Sequence, residues 1–220
     1  MATIVITGAG RGIGLALTKH YLDRGDMVYG LCRKATKELS ESGAEVVEGV
    51  DVADTELLAS ALAPLSNVQI DVLINNAGIL GRESLENPDT QSIERQFRVN
   101  ALGPLQITQI LAPHLHKGSK VAMITSRMGS MSDNGSGGYY GYRMSKAALN
   151  AAGVSLARDL EPRGIAVALL HPGYVQTEMV SYGGDVSAQV SAARLIQRID
   201  ELNLNTSGSF WHANGEVLPW

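Results

Sequence analysis

The chain has 220 residues, 45% of them hydrophobic and 18% charged, and its formal net charge is -4. That size and apolar content suit a single α/β domain spanning residues 1–220, and the slightly acidic balance, without runs of like charge, excludes a nucleic-acid or polyanion surface. The lone cysteine, Cys32, excludes an intrachain disulfide and a cysteine-built metal site, and no apolar stretch reaches membrane-spanning length.

Met1-Ala2-Thr3 leads straight into an apolar run with no basic segment or cleavage motif, so a cytoplasmic protein is expected. Thr3 to Thr7 reads as a strand, Gly8 to Gly14 as a glycine turn, and Leu15 to Arg24 as a helix stopped by Gly25. Met27 to Cys32 and Glu45 to Val50 are the next strands; Asp51 follows, and Asp54 caps a helix through Ala63. Asp71 to Ile74 is a fourth strand, ending in Asn75-Asn76-Ala77-Gly78. Ser92 to Lys117 is largely helical with a break near Gly103-Pro104, and Lys120 to Thr125 is a fifth strand. Ser126 to Gly138 is a glycine-rich loop, and Tyr139 to Leu160 a long helix closed by Pro162 and Gly164. Ile165 to Leu170 is a sixth strand, ended by Pro172-Gly173. A helix near Val186 to Leu202 and a strand at Ser209 to His212 complete the order.

The strands are continuous apolar runs, which marks strands covered on both faces. Their alternation with helices predicts an α/β fold, a doubly wound parallel sheet of about seven strands with helices on both faces. In such a sheet ligands bind beyond the carboxyl ends of the strands.

Gly8, Gly10, Gly12 and Gly14 lie between a strand and a helix, where backbone N–H groups can receive a pyrophosphate. The other reading is a tight turn with no ligand. The end of the second strand carries Arg33-Lys34 where an NAD site has a carboxylate. A guanidinium binds a 2′-phosphate that a carboxylate would repel, so NADP (NADPH) is preferred over NAD. Arg11 can add a second positive charge; alternatively Arg33 and Arg11 are solvated surface cations. Asp51 can accept from an adenine amino group or cap the following helix.

Tyr142 and Lys146 stand four apart on the long helix, hence on one face. A lysine ammonium beside a phenol lowers its pKa from about 10 and makes it a usable acid or base. Ser126 can donate to a substrate oxygen, and Asn100 can hold the helix and a water relaying protons to Lys146. Tyr139 and Tyr140 compete as the acid, but neither has a lysine one turn on. Residues 79–82, 127–133 and 174–182 are expected to wall the substrate pocket, offering Leu80, Met128, Met131, Tyr174, Met179 and Tyr182. The five histidines lack metal-ligand spacing and no metal is expected. His171 either touches the cofactor or is a satisfied structural histidine.

Taken together, Thr7-Gly8-Ala9-Gly10-Arg11-Gly12-Ile13-Gly14, Asn75-Asn76-Ala77-Gly78, Asn100, Ser126, Tyr142-Arg143-Met144-Ser145-Lys146 and Pro172-Gly173 resemble the short-chain dehydrogenase/reductase family essentially end to end. Ser126 to Ser130, Tyr142 to Asn150 and the ending Pro219-Trp220 are similar to the C-factor-like and sniffer-like carbonyl reductases. The resemblance implies a Rossmann-type fold and an NADP-dependent reduction of a ketone or aldehyde, or oxidation of the alcohol. Tyr142 is then the general acid/base, Lys146 its pKa tuner and a ribose ligand, Ser126 the donor to the substrate oxygen, and Asn100 the anchor of the water relay. Cofactor contacts are implied at Gly8, Arg11, Gly12, Ile13, Gly14, Arg33, Asp51, Val52, Asn76, Ala77, Gly78, Tyr142, Lys146, Pro172, Gly173, Val175 and Thr177. A small-molecule substrate and a homodimer or homotetramer built on the two long helices are also implied. A dinucleotide-binding signalling protein with little turnover is the alternative. Two departures bear on the substrate: the loop between Ser126 and Tyr142 is long, and the segment after Thr177 is short.

Overall fold

Thr3–Thr7 (β1) sends Ile4 and Ile6 into one apolar layer and Val5 into the other, all three fully buried. This is what an unbroken apolar run does when helices cover both faces of a sheet. In the computed structural model, which describes residues 1–220, the chain continues as α1 (Gly12–Asp23), β2 (Met27–Leu31), α2 (Lys37–Ser40), β3 (Glu45–Val47), α3 (Leu58–Ala61), β4 (Ile70–Asn75), α4 (Thr90–Phe97) and α5 (Gly103–Leu111). It then forms β5 (Leu115–Ile124), α6 (Tyr140–Leu160), β6 (Ala166–His171), β7 (Val175–Gln176), β8 (Val186–Ser187), α7 (Ala188–Glu201) and β9 (Phe210–His212). Seven strands make one parallel sheet in the order β3-β2-β1-β4-β5-β6-β9, while β7 and β8 pair separately.

One apolar layer joins the sheet to α1 and α7 through Leu17, Tyr21, Leu195 and Ile199. The other joins it to α3, α5 and α6 through Leu58, Ile107, Leu111 and Leu149. Each such leucine or isoleucine gains about 1.5–3 kcal/mol by leaving water. No helix is long and apolar enough to cross a membrane.

The structure adds α2 and the β7–β8 pair to the elements expected from the sequence, ends β3 at Val47 rather than Val50, and departs from the expected helices as follows. The helix expected to run to Lys117 stops at Leu111, because Leu115 already pairs with Ile70 in the sheet and Arg163 donates to the carbonyls of Ala112 (2.8 Å) and Leu115 (2.9 Å). The break expected at Gly103-Pro104 lies just before it, in a π-helical turn at Arg98–Leu102. The helix expected from Asp54 is short: Asp54 does accept from Leu57 N, but regular helix covers only Leu58–Ala61. Strand order reverses between β1 and β4, and the crevice of a doubly wound sheet opens at such a reversal.

Candidate active site

At the end of β1 the Thr7 hydroxyl accepts the backbone N–H groups of Asn76 (2.9 Å) and Ala77 (3.0 Å). The Asn76 amide donates back to Thr7 O at 3.0 Å, so the end of β4 is tied to the glycine turn. Gly8 and Gly12 adopt φ of 67° and 54°, a region that favours glycine. A Cβ on Gly14 would lie 2.2 Å from Gly8 O, so only glycine lets α1 start this close to the turn. Arg11 offers α1 no side-chain cap, and its first turn has no acidic residue. The free N–H groups and the positive helix end therefore suit a phosphate anion. Just past β2, Arg33 is exposed and takes part in none of the ion pairs of the protein, which leaves it free for a second phosphate. These residues fit a dinucleotide carrying a 2′-phosphate.

Arg11 is placed differently from Arg33. Its Nη1 lies 2.5 Å from Glu178 Oε2, which bridges the glycine turn to the segment after Pro172-Gly173. The guanidinium expected to serve a phosphate is thus shared with a carboxylate. Asp51 Oδ1 accepts Ala53 N at 3.0 Å, a local turn bond ahead of α3 rather than a cap of that helix, while Val52 is buried and Ile13 of α1 packs against the core. Gly78 lies beside Asn100 and Lys146, Val175 is buried in β7, and Thr177 lies over Gly12. Pro172 O accepts from Ser191 of α7, and Gly173 turns the chain with φ 92°.

Asn100 is fully buried within the π-turn, where Gly103 N–H reaches back five residues to Arg98 O. Its carboxamide pairs with the Ile79 backbone, accepting from N and donating to O at 2.9 Å each, and also donates to Ser145 Oγ at 3.0 Å. Both donors are used, so the side chain's evident work is to hold residues 77–79 against α6. Tyr142 and Lys146 share one face of α6, with Lys146 Nζ 5.8 Å from the centre of the phenol ring. Ser126, 6% exposed at the end of β5, completes the group.

The electrostatics run opposite to expectation at the phenol. Lys146 is 4% exposed and donates to Ile124 O at 2.8 Å. Burial drives its pKa from 10.5 down to about 7. Burial raises the Tyr142 phenol above its ordinary value, and the neighbouring Ser126 hydroxyl offsets this only in part. With the ammonium directed at a carbonyl, little repays the phenolate for its lost hydration. The phenol is held in its proton-donating form.

Tyr139 adopts φ 54° as the residue before α6, and Tyr140 points outward. Gly129 was not singled out from the sequence, yet a Cβ there would lie 2.8 Å from the Lys146 backbone carbon. The available signal was a glycine three residues after Ser126. Arg127 is held between Asp133 (3.1 Å) and Glu216 (3.0 Å). The buried Nδ1 of His171 has no protein hydrogen-bond partner. Its ring meets His212 edge-on at 4.9 Å, and burial with nearby His212, Arg127 and Lys146 keeps it neutral with a pKa of about 3. Met131, Tyr174, Met179 and Tyr182 are exposed, in segments expected to wall the pocket.

Comparison with known proteins bears on the family of the chain. The family profile of the short chain dehydrogenases matches residues 2–186. A 1-hydroxy-2-glutathionyl-2-methyl-3-butene dehydrogenase of Rhodococcus sp. (strain AD45) is 38% identical over 100% of both chains. C-signal of Myxococcus xanthus is 46% identical over 69% of this chain and 93% of its own. The NADPH bound carbonyl reductase from chicken fatty liver has a TM-score of 0.91 at 27% identity, covering 100% of this chain and 99% of that one. The chain belongs to the short chain dehydrogenase family.

Proposed function

We propose that the protein is an NADP(H)-dependent oxidoreductase that reduces a ketone or aldehyde, or oxidises the corresponding alcohol. The observation that carries this reading is the convergence of Ser126, Tyr142 and Lys146 at the end of β5, with Gly78 of the adjoining crevice beside the Lys146 ammonium. The exposed, unpaired Arg33 and the uncapped start of α1 support NADP as the cofactor. When bound, the nicotinamide supplies the hydride for reduction or accepts it in oxidation.

In reduction, Ser126 donates to the substrate oxygen and Tyr142 gives it the phenolic proton. A protonated Lys146 has three donors, one of them spent on Ile124 O, and the other two remain for Tyr142 and a cofactor hydroxyl. As the phenol ionises, the adjacent ammonium stabilises the phenolate. Asn100 keeps Gly78, Ile79 and Ser145 in register, and a relay water is proposed beside it. Exposed Phe97, Leu105, Tyr140 and Met144 on α4, α5 and α6 support a homodimer or homotetramer. The buried free thiol of Cys32 suits the cytosol.

The test is NADPH oxidation over a panel of ketones and aldehydes, with Tyr142→Phe as control. Turnover that falls at least a hundredfold in the variant, in keeping with loss of a general acid worth about 10²–10⁴, is expected. The likeness to C-signal favours one other reading, a dinucleotide-binding signalling protein. Tight NADPH binding without turnover on any carbonyl would speak for it.

A further inference from the structure

α6 carries Tyr142 and Lys146, yet it begins without a cap of its own. Tyr139 gives no side-chain bond to the helix start, and the first turn has no acidic residue. A helix of 21 residues leaves free N–H groups and a positive end there. The residue packed against this end comes from outside α6, with Gln96 between its carboxylate and Gly141. Glu83, 6% exposed, lies in the segment between β4 and α4. Its Oε1 accepts from Ser92 Oγ at 2.5 Å and from Gln96 Nε2 at 2.7 Å, both on α4. Its backbone carbonyl accepts Tyr139 N at 2.8 Å, and Gln96 Oε1 takes Gly81 N at 2.7 Å.

The fit is close on both sides. A Cβ on Gly141 would lie 2.5 Å from Gln96 Nε2, and a Cβ on Gly81 would lie 2.1 Å from Glu83 Oε1. Burial alone would raise the carboxyl's pKa. The hydrogen bonds from Ser92 and Gln96, with the backbone N–H groups of Glu83 and Gly141 close by, outweigh that and hold it below the ordinary range, although Oε2 itself has no hydrogen-bond partner. Gly141 immediately precedes Tyr142. Tyr139 also sits in the left-handed region, an arrangement costing about 1 kcal/mol or more that the surroundings must impose.

We propose that Glu83, locked by Ser92 and Gln96, is the positioning residue that sets the first turn of α6 and hence the direction of the Tyr142 phenol. The inference rests on the acid–base role proposed for Tyr142. It adds that the carboxylate between β4 and α4 is needed for proton transfer, although it touches neither substrate nor cofactor.

The test uses the full chain with Glu83→Gln, which keeps the shape and removes the charge, and Glu83→Asp, which keeps the charge. Ser92→Ala removes one donor at a half-buried site and serves if Glu83 variants fold poorly. Competent sites are counted by NADPH fluorescence titration, and kcat is expressed per site. A misplacement of this kind is expected to lower kcat about tenfold or more in Glu83→Gln. NADPH Kd and carbonyl KM are expected to stay within about twofold, the pattern of an interaction that acts in the transition state. Glu83→Asp should recover part of the loss, and Ser92→Ala should show a smaller fall of the same kind. Unchanged kcat per site in both Glu83→Gln and Ser92→Ala, with only a lower Tm, would overturn the proposal. Tyr142→Phe separates the two failures. Activity surviving in that variant defeats the acid–base reading itself. Its loss beside full kcat in Glu83→Gln defeats the positioning role alone.

Discussion

Lys146 has one protein acceptor, the Ile124 carbonyl, and is 4% exposed. Its folded pKa of about 7 lies below the ordinary lysine value. Between about pH 7 and the unfolded value near 10.4, the unfolded chain binds more protons than the folded one. Stability therefore rises with pH across that window, by up to about 1.4 kcal/mol per unit, and the cost of the buried ammonium is fully present below it. Lys146→Met removes this term. Urea titrations should find the variant's advantage over the natural protein largest below about pH 7 and shrinking toward pH 10. An advantage that does not change with pH would contradict the burial of a titrating ammonium. The same burial explains why Tyr142 stays protonated: lost hydration raises the phenol's pKa while it lowers the amine's.

At the scale of elements, the segment Thr177–Gly184 is bound to the glycine turn by Arg11 and Glu178. It folds on itself through bonds from Tyr182 N to Thr177 O and from Asp185 N to Tyr174 O, and it carries two successive left-handed residues, Ser181 and Tyr182. Such conformations cost free energy and tend to occur where a ligand is clamped. The Arg11–Glu178 pair is exposed, and pairs of that kind contribute at most about 1 kcal/mol. Arg11→Ala should therefore speed release of NADPH and of NADH alike, by no more than about fivefold, measured by stopped-flow displacement. A loss confined to NADPH would return Arg11 to the 2′-phosphate role read from the sequence.

At the scale of the molecule, the reversal of strand order between β1 and β4 gathers the ends of β1, β2, β4, β5 and β6 along one rim. Arg33 stands on that rim beyond β2. Arg33→Asp should raise the Kd for NADPH at least tenfold, as expected for a charge-assisted phosphate contact worth about 1.5–3 kcal/mol. The Kd for NADH should change little. Fluorescence titration with both cofactors decides it, and equal losses would remove Arg33 from cofactor choice.

The local order of the chain was legible because it rests on local physics. Unbroken apolar runs such as those within Thr3–Thr7 and Lys120–Thr125, bounded by turn signals, read as strands covered on both faces, and glycines at 8, 12 and 14 mark a tight strand-to-helix turn where a backbone can approach a phosphate. The four-residue spacing of Tyr142 and Lys146 likewise puts them on one helix face before any coordinates are known. What depended on tertiary structure were the matters settled by residues far apart in sequence. Arg11 found Glu178, 167 positions away; Leu115 ended a helix early by pairing with Ile70; and Glu83 came to the start of a helix 57 residues on. The direction of the Tyr142 shift belongs with these, because periodicity places a lysine beside a phenol but cannot say which carbonyl its ammonium will choose or how much water burial removes.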